Sequence, residues 1–92
     1  MIKKLGNYKD NDIELCRTTN NRVGNETAEA LLEQQIPFTK SSRKIPFYKR
    51  EEYRGADTMW LISVNPRRYG QARRVIASMD RVYRERLVLS NY

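Results

Sequence analysis

The sequence contains no histidine and only one cysteine, Cys16. Histidine is the side chain that most often acts as a general base near neutral pH, so its absence excludes that base, Cys–His pairs and nearly all zinc sites. A single cysteine cannot form a disulfide within the chain, which agrees with a reducing compartment. We interpret Cys16 as a small buried apolar residue on a strand rather than as a reactive thiol.

Other signatures of chemistry are also missing. The four glycines are scattered, and the chain has neither a Walker motif nor a dinucleotide fingerprint. Glu51 and Glu52 are adjacent, so they would point in different directions on a helix or a strand and make a poor catalytic pair. Local pairing with Lys49, Arg50 or Arg54 is the favoured interpretation of these two acids. The sequence therefore predicts a protein that is not an enzyme and that has no catalytic residue, cofactor or metal.

Long apolar runs are absent as well. No run approaches the ~18 residues of a membrane span, and the first six residues lack the apolar stretch of a signal peptide. We therefore predict a cytoplasmic protein without membrane contact. The 92 residues, 39% of them hydrophobic, suffice for one small core despite a mean hydropathy of -0.83. We predict a single domain over residues 1–92, with about residues 1–10 disordered.

What the chain does have is positive charge, unevenly placed. The net charge is +7, and residues 40–92 hold 13 Lys or Arg against 5 Asp or Glu, whereas residues 1–39 hold 5 against 6. A basic region of this kind is a suitable contact surface for an acidic partner. The alternative is an ordinary solvated surface that keeps the protein soluble.

The first half of the chain predicts strand, helix and strand. Period-2 alternation predicts a strand over residues 12–18, and a run of helix formers follows it. That helix begins either at Asn21 or one turn later, after Gly24, and Pro37 ends it. A polar, edge-type strand is predicted over residues 37–45.

The second half begins with residues 46–57, which mix aromatic and charged side chains with Pro and Gly. This mixture predicts a long basic aromatic loop with at most one helical turn. Residues 58–64 are the most hydrophobic stretch and predict a central strand. An Asn-Pro pair then predicts a second helix over residues 66–79. A short turn capped by Asp80 and a last strand over residues 86–90 complete the chain.

The order β-α-β-β-α-β predicts an α+β fold of the ferredoxin-like type, a four-stranded antiparallel sheet with both helices on one face. The other face of such a sheet starts uncovered. Trp60 and Ile62 share one side of the third strand, and we predict that they form a sheet-face interface, most simply in a homodimer. The alternative is that the 46–57 loop and the termini fold over the open face.

One segment resembles a known family. The helix pattern Ala28-x-x-Leu31-Leu32-Glu33 leads through Ile36-Pro37 into a strand. It resembles the small bacterial βαββαβ domains that are described as signal-transducing proteins. The resemblance covers this segment and the order of elements, and it implies a ferredoxin-like fold but little chemistry. The basic 46–57 loop and the arginine-rich second helix depart from the family's pattern.

The remaining constellation is basic and aromatic. It lies in the 46–57 loop and on the second helix, where the apolar stripe leaves Arg67, Gln71, Arg74 and Ser78 together on the outer side. The planar guanidinium of arginine suits phosphate contact and base stacking. The alternative is a solvated surface with local ion pairs. The residues predicted to contact an acidic partner or nucleic acid are Lys49, Arg50, Tyr53, Arg54, Arg67 and Arg74.

The RNA-recognition motif shares this element order, but the sequence does not fit it. That motif stacks bases on aromatic residues of its first and third strands, and the first strand here has none. Residues 58–64 also lack the basic-Gly-aromatic start of its signature. If nucleic acid is bound, the loop and the second helix are better candidates than the sheet.

Two functions follow as hypotheses. The first is a non-enzymatic binding or regulatory module that acts through protein contacts, either as a homodimer or with a protein partner. The alternative is a nucleic-acid-binding accessory protein that uses the arginine-rich second helix and the loop. A third hypothesis, inhibition of a nucleic-acid enzyme by a chain encoded on a phage or mobile element, shares the basic surface but not the ligand.

Overall fold

A computed structural model describes residues 3–4 and 12–90 of the chain. Its strands are β1 (Lys3–Lys4), β2 (Ile13–Thr18), β3 (Phe38–Lys44), β4 (Thr58–Val64) and β5 (Val88–Leu89). Its helices are α1 (Asn21–Glu33), α2 (Tyr69–Ala77) and α3 (Arg81–Arg84), with 3₁₀ helices at Phe47–Tyr53 and Pro66–Arg68. Apart from Lys3 and Lys4, the predicted disorder of residues 1–10 lies outside the described residues.

The strands form one sheet in the order β1-β3-β4-β2-β5, and every neighbouring pair is antiparallel. β2 and β3 are therefore parallel to each other with β4 between them, and β4 and β5 are parallel with β2 between them. This confirms an α+β fold with an antiparallel sheet. One detail of the prediction is wrong: β3 is not an edge strand, because β1 pairs with it and places Lys3 opposite Lys40.

The start of α1 is the earlier of the two predicted positions. Asn20 caps the helix, and its side-chain Oδ1 accepts a hydrogen bond from the Val23 amide at 3.2 Å. The C-terminal end closes with two bonds, from the Ile36 amide to the Leu31 carbonyl and from the Gln35 amide to the Leu32 carbonyl, both at 2.9 Å. This is a Schellman motif in which Gln35, at φ 57°, takes the left-handed position.

The main core lies between the sheet and the two long helices. Leu15, Leu31 and Val64 are fully buried there, together with Ile62 and Ile76. Each such side chain contributes about 1.5–3 kcal/mol when it leaves water. Since residues of both α1 and α2 belong to this cluster, both helices cover the same face of the sheet, as the element order predicts.

The predicted interface at Trp60 and Ile62 is wrong, because the side of β4 that they share faces the helices. Ile62 is 1% exposed and belongs to the main core. Trp60 is half-buried beside α1, where a Cβ on Gly24 would lie 3.8 Å from the Trp60 Cβ. The Trp60 ring is also covered by Lys40, whose Nζ lies 4.9 Å from the ring centroid.

The opposite face of the sheet carries a second, smaller core. Ile45, Met59 and Leu61 are buried there, and Tyr53 and Ala56 pack against them. The chain between β3 and β4 therefore folds over this face, as the alternative interpretation of residues 46–57 proposed. The covering segment is a seven-residue 3₁₀ helix, which at three residues per turn is longer than the one turn expected.

The rest of that face is polar. Thr39 lies opposite Ser63 across the β3–β4 ladder, and Glu14 lies opposite Ser63 on β2. Glu14 and Arg17 form a two-pronged ion pair with both N–O distances at 2.8 Å. This pair lowers the pKa of the Glu14 carboxyl, chiefly through the hydrogen bonds from Arg17. The described part of the sheet thus offers no open apolar face for a homodimer.

The C-terminal half follows the predicted order with shorter elements. Asn65 accepts a hydrogen bond from the Arg67 amide at 2.9 Å, and a 3₁₀ turn precedes α2. Asp80 caps α3 by accepting from the Val82 amide at 3.1 Å, as its position predicts. The last strand, β5, has two residues rather than five. Among the described residues, no helix combines the length and the apolar character that a membrane span requires.

Candidate functional site

The six predicted contact residues fall into two groups on opposite sides of the sheet. Lys49, Arg50, Tyr53 and Arg54 lie on or directly after the 3₁₀ helix Phe47–Tyr53, whereas Arg67 and Arg74 belong to the helix-covered side. β4 joins the two regions, and its seven residues span about 20 Å at ~3.3 Å per residue. The structure therefore does not bring the two groups together into one site.

The second group, Arg67 and Arg74, lies beside a groove between the two long helices. Arg67, Gln71, Arg74 and Ser78 are all exposed, as the apolar stripe of α2 predicts. The groove has a volume of about 350 Å³ and is lined by Gln71, Arg74 and Ser78 from α2, and by Glu33 near the end of α1. A carboxylate in the same groove opposes the binding of an anion, so this surface is the weaker candidate.

The 3₁₀ helix carries the most exposed aromatic side chains among the described residues. Phe47 is 80% exposed and Tyr48 is 71% exposed. Their rings pack edge to face, with centroids 5.9 Å apart and planes at 86°. Two large apolar rings held in water beside each other are typical of a contact surface rather than of a solvated one.

Two of the predicted residues in this region have structural roles instead. The Arg50 Nε–H donates to the Ile45 carbonyl at 3.1 Å, which ties the 3₁₀ helix to the end of β3. Tyr53 is half-buried against the second core. Lys49 and Arg54 are exposed, and their side chains make no hydrogen bond or ion pair with any described residue.

The local ion pairs expected for Glu51 and Glu52 do not form between described residues. The ion pairs that do form among the described residues join Glu14 to Arg17 and Arg81 to Glu85. Lys49 and Arg54 therefore keep their charge available to a ligand. We name the exposed set Phe47, Tyr48, Lys49 and Arg54 the aromatic-basic ridge.

The end of the 3₁₀ helix borders a cleft of about 640 Å³. The chain reverses there through two left-handed residues, Arg54 at φ 56° and Gly55 at φ 85°, before it enters β4. Arg86 comes from the segment before β5, and it also borders a neighbouring hollow with Arg22 and Asn20. The residues that line the cleft are Thr18, Thr19, Asn20, Asn21, Tyr53, Arg54, Gly55, Ala56 and Arg86.

Lys40 also lies near the start of α1 but is already engaged. Its Nζ donates to the side-chain Oδ1 of Asn25 and, at 3.2 Å, to that of Asn21. Partial burial lowers the pKa of this ammonium group. Together with its position over the Trp60 ring, these contacts make Lys40 a link between β3 and α1 rather than a free ligand-binding charge.

No family model, curated protein or solved structure matches this chain. The resemblance of the α1–β3 segment to signal-transducing domains therefore stays a prediction. Only the residues of this chain indicate what it binds.

The thiol of Cys16 is not an accessible nucleophile. Cys16 is fully buried in the main core. Burial raises the pKa of its thiol to about 12, so the uncharged thiol is the form present at neutral pH. Among the described residues, no group of three or more metal-ligating side chains comes together.

The raised pKa of Cys16 has a consequence for stability at high pH. The thiol of the unfolded chain ionises near the reference value of 9.0, whereas the folded one holds its proton to about pH 12. The folded state therefore binds more protons between these values, and the free energy of unfolding falls as pH rises above about 9. We expect Cys16→Ala to lose less stability than the wild-type protein in urea denaturation between pH 7 and pH 11. Parallel pH profiles for the two proteins would contradict this account.

Proposed function

We propose that this chain is a non-enzymatic protein that binds single-stranded nucleic acid with the aromatic-basic ridge. The observation that carries the proposal is the exposed pair Phe47 and Tyr48 on the same short segment as Lys49 and Arg54, whose side chains pair with no described residue. Proteins that bind single strands without sequence preference combine aromatic stacking platforms with positive charge along the backbone path. The ridge supplies both elements on one short segment.

The geometry of the aromatic pair supports stacking. An edge-to-face arrangement keeps the two rings at 86°, and both side chains remain more than two-thirds exposed. Each ring therefore has a surface that a base can cover, and base–aromatic stacking contributes about 1–3 kcal/mol per base. A duplex would offer its bases far less readily, which favours a single strand as the ligand.

The charge distribution supports the same ligand. Residues 40–92 carry the excess of positive charge, and the ridge lies within them. Lysine and arginine side chains that neutralise phosphates release condensed counterions, so the affinity would fall steeply with salt. Long-range attraction by a net charge of +7 would also speed the encounter with a polyanion.

The proposed fold type agrees with a site away from the sheet. We propose that the interlocked β-α-β units form a ferredoxin-like domain with β1 added at one edge. In an RNA-recognition motif of this order the open sheet face stacks the bases. Here the 3₁₀ helix covers part of that face, and the remaining described part holds the Glu14–Arg17 pair. The ridge on the outer surface of the 3₁₀ helix is therefore the better platform.

A second candidate function is protein contact through the C-terminal end of the domain. Val82, Val88 and Leu89 expose 61%, 62% and 39% of their surface there, and β5 is the last strand in the sheet order. An edge strand with exposed apolar side chains can pair with another chain, including a second copy. In this second candidate, the chain would still form a homodimer or bind a protein partner, but the contact surface would be the C-terminal end of the domain instead of Trp60 and Ile62.

The test of the nucleic-acid proposal is fluorescence anisotropy with a labelled 12-nucleotide poly-dT strand at 50 and 200 mM salt. We expect the affinity to fall about tenfold or more over this rise if three phosphates are neutralised. The charge-reversal pair Lys49→Glu and Arg54→Glu should weaken binding strongly. The matched pair Arg67→Glu and Arg74→Glu changes the net charge equally but on the α2 side, and it should weaken binding less.

Two results would reject this proposal. Absence of binding at 50 mM salt would leave the protein-contact candidate, which analytical ultracentrifugation of the wild-type protein then tests through its oligomeric state. Equal weakening by the two charge-reversal pairs would show that net charge alone drives the binding and that the ridge is not the site.

A further inference from the structure

The cleft at the end of the 3₁₀ helix extends the proposed function. We propose that Arg22, Arg54 and Arg86 form a binding pocket for one backbone phosphate of the strand that stacks on the ridge. This inference rests on the proposed function, because it assigns a second contact to the same ligand. We name the three residues the arginine cluster. They come from three separate parts of the chain: the first turn of α1, the turn before β4 and the segment before β5.

Among the described residues, no carboxylate lines the cleft beside these cations. Its lining consists of hydroxyl, amide, apolar and guanidinium side chains, and the adjoining hollow adds Arg22, Val23, Val82 and Tyr83. Glu85 precedes Arg86 in the chain, but its Oε2 pairs with the Arg81 Nε at 2.9 Å. The side chains of all three arginines are exposed and make no hydrogen bond or ion pair with another described residue.

The chemistry of the lining suits a phosphate group. A guanidinium presents a planar set of N–H donors that matches two phosphate oxygens, and three of them offer more charge than one phosphate diester carries. The hydroxyl group of Thr19 and the side-chain amide of Asn21 add neutral donors at the same cleft. The start of α1 is not the source of this affinity, because Asn20 already occupies the Val23 amide.

The distance from the ridge fits one continuous strand. Phe47 and Arg54 are seven residues apart along a 3₁₀ helix, which at ~2 Å per residue is about 14 Å. Single-stranded sites on small domains span about 4–16 nucleotides, so one short strand can stack on Phe47 or Tyr48 and still reach the cleft.

Arg54 and Arg86 line the cleft, and Arg22 lines the adjoining hollow together with Arg86. These neighbouring like charges also predict a signature in the free protein. Their mutual repulsion opposes folding, so removing one of them should leave the stability unchanged or raise it. A residue kept only for the fold would show the opposite effect. Urea denaturation of Arg22→Ala and Arg86→Ala therefore separates a binding role from a structural one, and a loss of stability in both variants would overturn the proposal.

The binding experiment compares the wild-type protein, the double variant Arg22→Ala with Arg86→Ala, and the matched control Arg67→Ala with Arg68→Ala. The probe is the 12-nucleotide poly-dT strand, measured by anisotropy at several salt concentrations. We expect the double variant to raise the Kd at least tenfold and to reduce the slope of log K against log salt by about 0.7 for the lost phosphate. The control should change the slope less, because Arg67 and Arg68 follow the end of β4, whereas the cleft lies before its start.

A second measurement distinguishes a strand phosphate from free phosphate. Inorganic phosphate is added to the ¹⁵N-labelled wild-type protein, and the amide signals of Thr19, Asn21 and Gly55 are followed by NMR. Shifts of these signals that vanish in the double variant support the cleft as a phosphate site. If phosphate shifts these signals but the protein binds no strand, the cleft binds free phosphate and not a strand phosphate. That result would overturn both this inference and the proposed function.

A further outcome would overturn the cleft inference but leave the proposed function of the ridge standing. If the wild-type protein binds the strand and the double variant keeps the same Kd and salt slope, the cleft inference is overturned. The proposed function of the ridge would then stand on the variants of its own residues, Phe47, Tyr48, Lys49 and Arg54.

Discussion

Ile62→Ala is expected to lower the free energy of unfolding by about 2–5 kcal/mol, because it leaves a cavity between the sheet and both long helices. Ile62 is 1% exposed and lies in the main core with Leu31 and Ile76. Small domains are stable by only about 5–15 kcal/mol in total. One substitution at this position therefore removes a large part of the stability.

The matched control is Val88→Ala on β5, where the side chain is 62% exposed. We expect this variant to stay within about 0.5 kcal/mol of the wild-type protein in urea denaturation. If Ile62→Ala does not fold, Ile62→Val serves instead, with an expected loss of about 0.5–1.5 kcal/mol. A loss at Ile62 no larger than at Val88 would contradict the assignment of this side of β4 to the helices.

The double variant Phe47→Ala with Tyr48→Ala is expected to weaken the binding of the poly-dT strand by tenfold or more. Stacking contributes about 1–3 kcal/mol per base, and the variant removes both platforms. The slope of log K against log salt should not change, since neither substitution removes a charge. This combination of a large loss of affinity and a constant slope separates stacking from electrostatic attraction.

The control for lost apolar surface is Leu32→Ala with Val88→Ala, which shortens two exposed side chains outside the ridge and the cleft. It should bind the strand as the wild-type protein does. Both double variants should fold normally, because exposed side chains contribute little to stability. Wild-type affinity in the aromatic variant would show that Phe47 and Tyr48 do not touch the strand.

The elements with strong local signals could be predicted from the sequence. The strand Thr58–Val64 matches the predicted range, since a short β-branched run between Asp57 and Asn65-Pro66 has few alternatives. The sequence allows α1 to start at Asn21 or one turn later, because Asn20 and Asn25 are both good capping residues. Only packing distinguishes them: the earlier start buries Val23 and Thr27 on one stripe.

The faces of the sheet could not be predicted in the same way. Both sides of β4 carry apolar residues, Trp60 and Ile62 on one and Met59 and Leu61 on the other. Alternation shows that the two sides differ but not which side the helices cover. Which side of β4 the helices cover depends on which side the 46–57 segment covers. The mixture of charged and aromatic residues in this segment predicts only a loop. Its inward contacts at Tyr53 and Ala56 are made to Ile45, Met59 and Leu61, which the pairing of β3 with β4 brings together.

The candidate site was predicted in part. The basic aromatic character of the 46–57 segment is visible in the sequence, and Lys49 and Arg54 remain in the ridge. The pattern could not show that Arg50 and Tyr53 face inward, since 3₁₀ and α periodicities differ over so short a segment. The sequence does not show the arginine cluster, because its members lie at positions 22, 54 and 86, far apart in the chain. Phe47 and Tyr48 follow Pro46 in the same basic aromatic segment, but the sequence alone does not show that both rings are exposed.

The attachment of the 3₁₀ helix has a consequence for how this protein can diverge. Its anchors are few: the Arg50 bond to Ile45, the Tyr53 packing against the second core, and the left-handed turn at Gly55. The outward positions 47, 48 and 49 carry none of that attachment. Related chains could therefore exchange these side chains freely, and acquire a new specificity, while the rest of the domain keeps its sequence and its stability.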